Sequence, residues 1–215
     1  MLISSEDVHR VLVDNSIHIT GAFHLGAHEC EEMAFYRLVG LQASDIIWID
    51  AIEQKVLDAR HRGIPNVYNE VITDEDDKEV TFNIANNVQS SSVLELCTHA
   101  VQHPDVVYVD NFTTKSITVD TFFAKHNIDG TKYNFWNFDI QGAELMALKG
   151  AIANLKYVRA LYLEVNVEEL YKECGLLNDI DVFLSEFGFQ RVLTHMTRHG
   201  WGDALYIQKA KLYVS

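Results

Sequence analysis

The chain has 215 residues, 48% hydrophobic and 22% charged, with a formal net charge of −14. That size fits one domain with a sizeable core, read as an N-terminal helix over residues 1–16 and a catalytic core over 17–209. The anionic balance argues against a nucleic-acid partner, no run reaches transmembrane length, and three widely spaced cysteines without a CxxC give no zinc site, so a soluble cytoplasmic protein is expected.

Ser4 or Ser5 caps a short amphipathic helix running to about Asn15. Ile19–His24 reads as the first strand and Glu31–Val39 as its crossover helix. Ile46–Asp50 is the second strand, Gln54–Arg62 its helix, and Asn66–Ile72 the third strand. The acidic run 74–77 is a solvated turn ahead of an alternating extra strand, Val80–Ile84. Asn86–Ser92, NNVQSSS, is a polar loop, and Val106–Val119 holds another extended segment. A helix from Asp120 to near Asn127 precedes a turn at Asp129–Gly130 and a fourth strand, Asn134–Asp139. Ala143–Lys149 is a helix closed by Gly150, Val158–Val165 a fifth strand, and Asp179–Phe187 a helix closed by Gly188. Only MTRHGWG separates the strands Phe189–His195 and Asp203–Gln208, too little for a crossover helix, so they should pair antiparallel. The expected fold is α/β: a Rossmann-like, mostly parallel sheet with helices on both faces and a C-terminal antiparallel hairpin. A dinucleotide-binding sheet stays parallel at that end; a class I methyltransferase sheet carries the hairpin.

The segment IHITGAFHLGAHECEE, Ile17–Glu32, reads as a strand, a turn on Gly26 and small Ala27, and an acidic helix start. The next strand, DIIWID, ends on an acid, Asp50. Such a pair holds an adenosine-containing ligand: the turn lets backbone N–H groups approach, and the acid accepts bonds from the ribose hydroxyls. Gly26 is the only glycine between Ala22 and Gly40, so GxGxxG is absent and a pyrophosphate is poorly served. A cofactor without phosphate, S-adenosylmethionine, fits better than NAD(P).

Four segments resemble the FkbM family of S-adenosylmethionine-dependent methyltransferases: FHLGAHECEE (Phe23–Glu32), IIWIDA (Ile46–Ala51), FDIQGAELMALKGA (Phe138–Ala151) and LYLEVN (Leu161–Asn166). The last strand, GWGDALYI, has the same character, and the resemblance runs from about Ile19 to Ile207. His24 departs from the Asp common in the family, and Cys30 from a second glycine. The resemblance implies methylation of a hydroxyl on a sugar or glycan; the small size suggests either a free-standing enzyme or one module of a larger glycan-synthesis protein. An NAD(P)-dependent reductase and a non-catalytic scaffold of the same fold are the alternatives.

His24, Gly26, Ala27, Asp50, Ala51, Ile72 and Asp139 are then the cofactor-binding candidates, with Val71 and Ile72 placed to pack on adenine. Asp139 ends strand four, where open α/β sheets bind ligands, and is the leading catalytic candidate; helix capping is its plain structural alternative. Glu144, in a first helical turn, suits the helix dipole. Glu164 and Asn166 share a strand face and, with Gln89, Ser91 and Trp201, are the acceptor-binding candidates. Asp139, Glu164 and Asn166 could together hold Mg²⁺, but acids that position hydroxyls are the favoured reading, and no metal is assigned. Among the histidines at 28, 99, 103, 195 and 199, His28 and His195 look best placed to act as a base.

Overall fold

The computed structural model describes residues 1–209. Helix α1 (Ser5–Asp14) is capped as expected: the Ser4 hydroxyl accepts from the Asp7 N–H, and Val8 and Leu12 form its buried stripe. In chain order there follow β1 (Ala22–Leu25), α2 (Met33–Leu38), β2 (Ile46–Asp50), α3 (Glu53–His61), β3 (Val67–Asn69), β4 (Glu79–Ala85), α4 (Thr98–Gln102), β5 (Tyr108–Lys115), α5 (Val119–Lys125), β6 (Phe135–Phe138), α6 (Glu144–Lys149), α7 (Ile152–Leu155), β7 (Ala160–Asn166), α8 (Leu177–Glu186), β8 (Phe189–Met196) and β9 (Trp201–Gln208).

Seven strands form one sheet in the order β3-β2-β1-β6-β7-β9-β8. The first five run parallel, and β9 lies antiparallel between β7 and β8, so the hairpin closes the sheet as expected. Strands β1, β2, β6 and β7 are buried along their whole length, as a sheet covered on both faces requires. Alternation divides their side chains. Phe23, Ile47, Trp136 and Leu161 face one core with α5–α8; Ala22, Trp48, Phe135 and Tyr162 face the other with α1–α3.

The chain order reverses at β1, which has β2 on one side and β6 on the other. Such a switch point opens a crevice at the strand ends. Leu25 is in register with Phe138, so Gly26 and Asp139 leave the sheet side by side.

Several boundaries differ from expectation for identifiable reasons. β1 starts late because Thr20 donates its N–H to the Asn134 side chain, before the ladder begins. α2 starts at Met33 because His28 and Cys30 occupy the left-handed region, with φ of 41° and 57°. β3 stops at Asn69, opposite Asp50, where β2 itself ends; Val71 and Ile72 turn instead to bond with Ile117. β4 and β5 form a separate antiparallel pair. The short helices α4 and α7 are additional to the elements expected. No helix among the described residues is long and apolar enough to cross a membrane.

Candidate active site

A cavity of about 550 Å³ opens over the ends of β1, β2, β6 and β7. That falls in the range of small-molecule sites, roughly 300–1,000 Å³. Gly26 forms part of its wall at φ +87°, and a Cβ there would lie 1.8 Å from the Asp139 carbonyl oxygen. Only glycine allows the turn after β1 to close on the end of β6. The Gly26 and Ala27 N–H groups both donate to the Ile49 carbonyl, which fixes the turn against β2.

Asp50 is buried, with 9% of its surface exposed. One carboxylate oxygen accepts from the His28 N–H and the other from the Ile52 N–H, each at 2.8 Å. Burial raises its pKa, and the two backbone bonds oppose the shift. Each oxygen keeps a further lone pair for a ribose hydroxyl. Ala51, Val71 and Ile72 line the same side of the cavity.

Asp139 is exposed to the cavity, and its backbone N–H donates to Leu25. Gln141, in the left-handed region at φ 56°, ties the next strand end to it. Its amide donates to Asp139 at 2.8 Å and to Glu164, and its carbonyl accepts from the Tyr171 hydroxyl at 2.6 Å. Glu164 faces Asp203 across the β7–β9 ladder, and both line the cavity. Asp203 accepts from the Leu2 N–H and from the Tyr162 hydroxyl. Burial holds Glu164 well above the ordinary carboxylate range, reinforced by the charge of Asp139 and a hydrogen bond with it. Burial raises Asp203 too. Glu144 is structural: it is 1% exposed and accepts from the Ile140 and Gly142 N–H groups, closing the Asp-Ile-Gln-Gly loop, and burial raises it as well.

The far wall comes from segments outside the main sheet. Gln89 and Ser91 line it from the loop after β4. The Ser91 hydroxyl is occupied in shaping that loop: it donates to Val88 and accepts from Ala85. Trp201, the first residue of β9, packs with Leu170 and Tyr171. His99 and His103 line the wall from α4, their rings 5.0 Å apart.

The cavity thus gathers Gly26, His28, Asp50, Ala51, Ile72, Gln89, Ser91, Asp139, Glu164 and Trp201 from the sequence candidates, and four others lie outside it. His24 points to the opposite face of β1, like Ala22. It is 1% exposed, lies 4.7 Å from Trp48 and hydrogen-bonds the Tyr36 hydroxyl. Burial lowers its pKa against the pull of Glu32, Asp139 and Glu31. Ala27 packs inward beside Cys30. Asn166 is fully buried, paired with Trp201 in the β7–β9 ladder, and its amide has no partner among the described residues. His195 is exposed on the edge strand β8, with β9 between it and β7.

Gln141, Tyr171 and Asp203 carry the carboxyl network but were not among the sequence candidates. Gln141 was within reach, since it stands inside the most specific motif. His99 and His103 join His28 as histidines of the cavity, and His195 does not. Among the described residues, no group of three or more His, Cys, Asp or Glu side chains is arranged to hold a metal ion.

A parallel sheet with this switch point, an acid after β2 and an antiparallel β9 defines a class I methyltransferase fold. The family model described as the methyltransferase FkbM domain matches residues 61–191. The chain belongs to that family. Among solved structures, it is similar to magnesium protoporphyrin IX methyltransferase (ChlM) from Synechocystis PCC 6803 with bound SAM, at 12% identity over 95% of this chain and 78% of that one, TM-score 0.46. A SAM-dependent methyltransferase from Aquifex aeolicus aligns at 13% identity over 97% and 91%, TM-score 0.39. The CurJ carbon methyltransferase aligns at 10% identity over 96% and 54%, TM-score 0.48. A comparison with curated protein sequences finds no match.

Proposed function

We propose that this chain transfers a methyl group from S-adenosylmethionine to a hydroxyl of a sugar or glycan. One observation carries the reading: the Gly26 turn, Asp50 and Asp139 open on the same cavity as a polar loop and Trp201. Gly26 lets the turn after β1 close on the end of β6 at the cavity wall, and Asp50 has lone pairs free for ribose. Val71 and Ile72 offer an apolar surface for adenine.

When bound, S-adenosylmethionine would supply a methyl group on a cationic sulfur for transfer to the acceptor oxygen, whose hydroxyl proton would have to be taken up. The residues' task is chiefly orientation, which can contribute roughly 7–11 kcal/mol. Asp139 holds the acceptor hydroxyl or takes its proton, and Gln141 fixes its carboxylate. His28 sits beside the cofactor turn, with its imidazole on Glu31 at 2.7 Å. Gln89, Ser91, Glu164 and Trp201 contact the acceptor ring.

The test is calorimetric titration with S-adenosylhomocysteine, with NAD as control and EDTA or Mg²⁺ in parallel. Micromolar binding of S-adenosylhomocysteine without NAD binding is expected. NAD binding alone would move the reading to a reductase, and binding of neither would move it to a scaffold. Label from [methyl-³H]S-adenosylmethionine should then appear in sugar ethers.

A further inference from the structure

Seven of the residues lining the cavity are Asp or Glu, and among the described residues none of the lining is Lys or Arg. On the acceptor side the acids are Asp139, Glu164 and Asp203, at the ends of three neighbouring strands. Met1 and Leu2 line the same side of the cavity, where the Leu2 N–H donates to Asp203. A second observation is independent of the acids. His99 is 7% exposed, lines the cavity, and its Nδ1 has no hydrogen-bond partner. A buried polar nitrogen left without a partner costs stability unless something pairs with it. Burial, helped by His103, lowers the pKa of this imidazole, which disfavours a positive charge that could meet an anion.

Resting on the methyl-transfer reading, we propose that the acceptor is an uncharged or amine-bearing sugar, and that this wall rejects uronates, sugar phosphates and sugar nucleotides. An anionic acceptor would lose its water beside acids, where Glu164 already holds a proton against the charge of Asp139, with no Lys or Arg side chain in the described lining to pair with it. A neutral ring loses little: its hydroxyls meet acids, amides and His99, and its apolar face meets Trp201. An ammonium on the ring gains from an acidic wall that has no competing Lys or Arg side chain among the described residues. The specificity comes from repulsion as much as attraction.

The experiment offers glucose, galactose and mannose to the full-length protein, each as the free sugar, the 2-amino sugar, the uronate and the 6-phosphate. Transfer is read as tritium from [methyl-³H]S-adenosylmethionine. Label should enter neutral or amino sugars at least about tenfold faster than the matched uronate or phosphate. Gln89→Lys, a change at an exposed wall position, should narrow that gap by raising uronate turnover, and Asp203→Asn should narrow it as well. Equal or faster labelling of the anionic sugars overturns the proposal. So does an absence of label in every neutral and amino sugar while S-adenosylhomocysteine still binds, and in that case the cofactor assignment stands. Loss of S-adenosylhomocysteine binding would instead overturn the underlying methyltransferase reading.

Discussion

The two sides of the cavity are built differently. The β1–β2 side consists of strand ends: a glycine after β1, an acid ending β2, apolar residues after β3. Sheet register fixes each of them. The opposite side is assembled from excursions: the loop after β4, helix α4, and the segment between β7 and α8. Long-range backbone bonds hold these together; the Cys97 and His99 N–H groups donate to the Leu170 carbonyl, and Thr98 donates to Glu169. A site on strand ends inherits its geometry from the fold, so it can serve one cofactor across many chemistries. A site on excursions can vary without disturbing the sheet, which suits acceptor choice.

The sharpest way to break this division is at Gly26. Gly26→Val should lower S-adenosylhomocysteine affinity by more than about 100-fold, because its Cβ would collide with the Asp139 carbonyl, 1.8 Å away, at φ +87°. Gly188 is the control: its φ is +80°, but an added Cβ meets nothing within 4 Å. Gly188→Ala should cost about 1 kcal/mol of stability from backbone strain alone and leave affinity intact. Equal effects at the two positions would show that conformation, not close approach, makes Gly26 necessary.

Asp50→Ala comes next. Hydrogen bonds to charged groups contribute roughly 1.5–3 kcal/mol, so calorimetry should show S-adenosylhomocysteine weakened by about 10- to 150-fold. On the other side, Gln141→Leu removes the amide that joins Asp139, Glu164 and Tyr171. S-adenosylhomocysteine affinity should stay within about threefold while methyl transfer falls about tenfold. If affinity falls as far as in Asp50→Ala, the two sides are not separable.

How much of each side is legible in the sequence follows from the same difference. Gly26, Asp50 and Asp139 could be placed because strand periodicity locates the strand ends and the switch point joins them. Tyr171 and His99 could not. Their rings lie 5.5 Å apart, but the bridge that joins their segments, Leu96 to Tyr171, pairs two stretches without strand periodicity. His24 lies away from the cavity for a different reason. It stands in the right motif, but a strand residue's face is set by parity, and His24 shares the parity of Ala22, away from the cavity. Helix α4 is five residues long, too short for a helical period to register.

A smaller effect separates the sides by pH. Glu164 has a raised pKa in the folded protein, so the native state keeps a proton that the unfolded chain releases. Its contribution is full below the ordinary carboxylate range, near pH 4.3, and is lost as pH rises toward the folded value. His24, on the other face, has a lowered pKa, so its contribution is present above about pH 6.5 and fades as pH falls below it. Glu164→Gln mimics the protonated acid and should raise the melting temperature by about 2–4 °C at pH 8, the equivalent of about 1 kcal/mol, with little change at pH 5. A rise of equal size at both pH values would show that packing, not ionisation, is responsible.

The smallest effect is expected at His195. From the sequence it stood just before the hairpin loop, in reach of an acceptor. In the fold β8 continues to Met196 as the edge strand, and β9 separates it from β7. An exposed edge-strand side chain in register with Asp203 has no route to the cavity through the intervening ladder. His195→Ala should therefore leave S-adenosylhomocysteine affinity within twofold and stability within about 0.5 kcal/mol. His99→Gln, on the wall itself, should slow methyl transfer about tenfold without weakening S-adenosylhomocysteine. If the two variants exchanged these outcomes, the acceptor would approach from the hairpin side, and the division between strand ends and excursions would fail where it matters for chemistry.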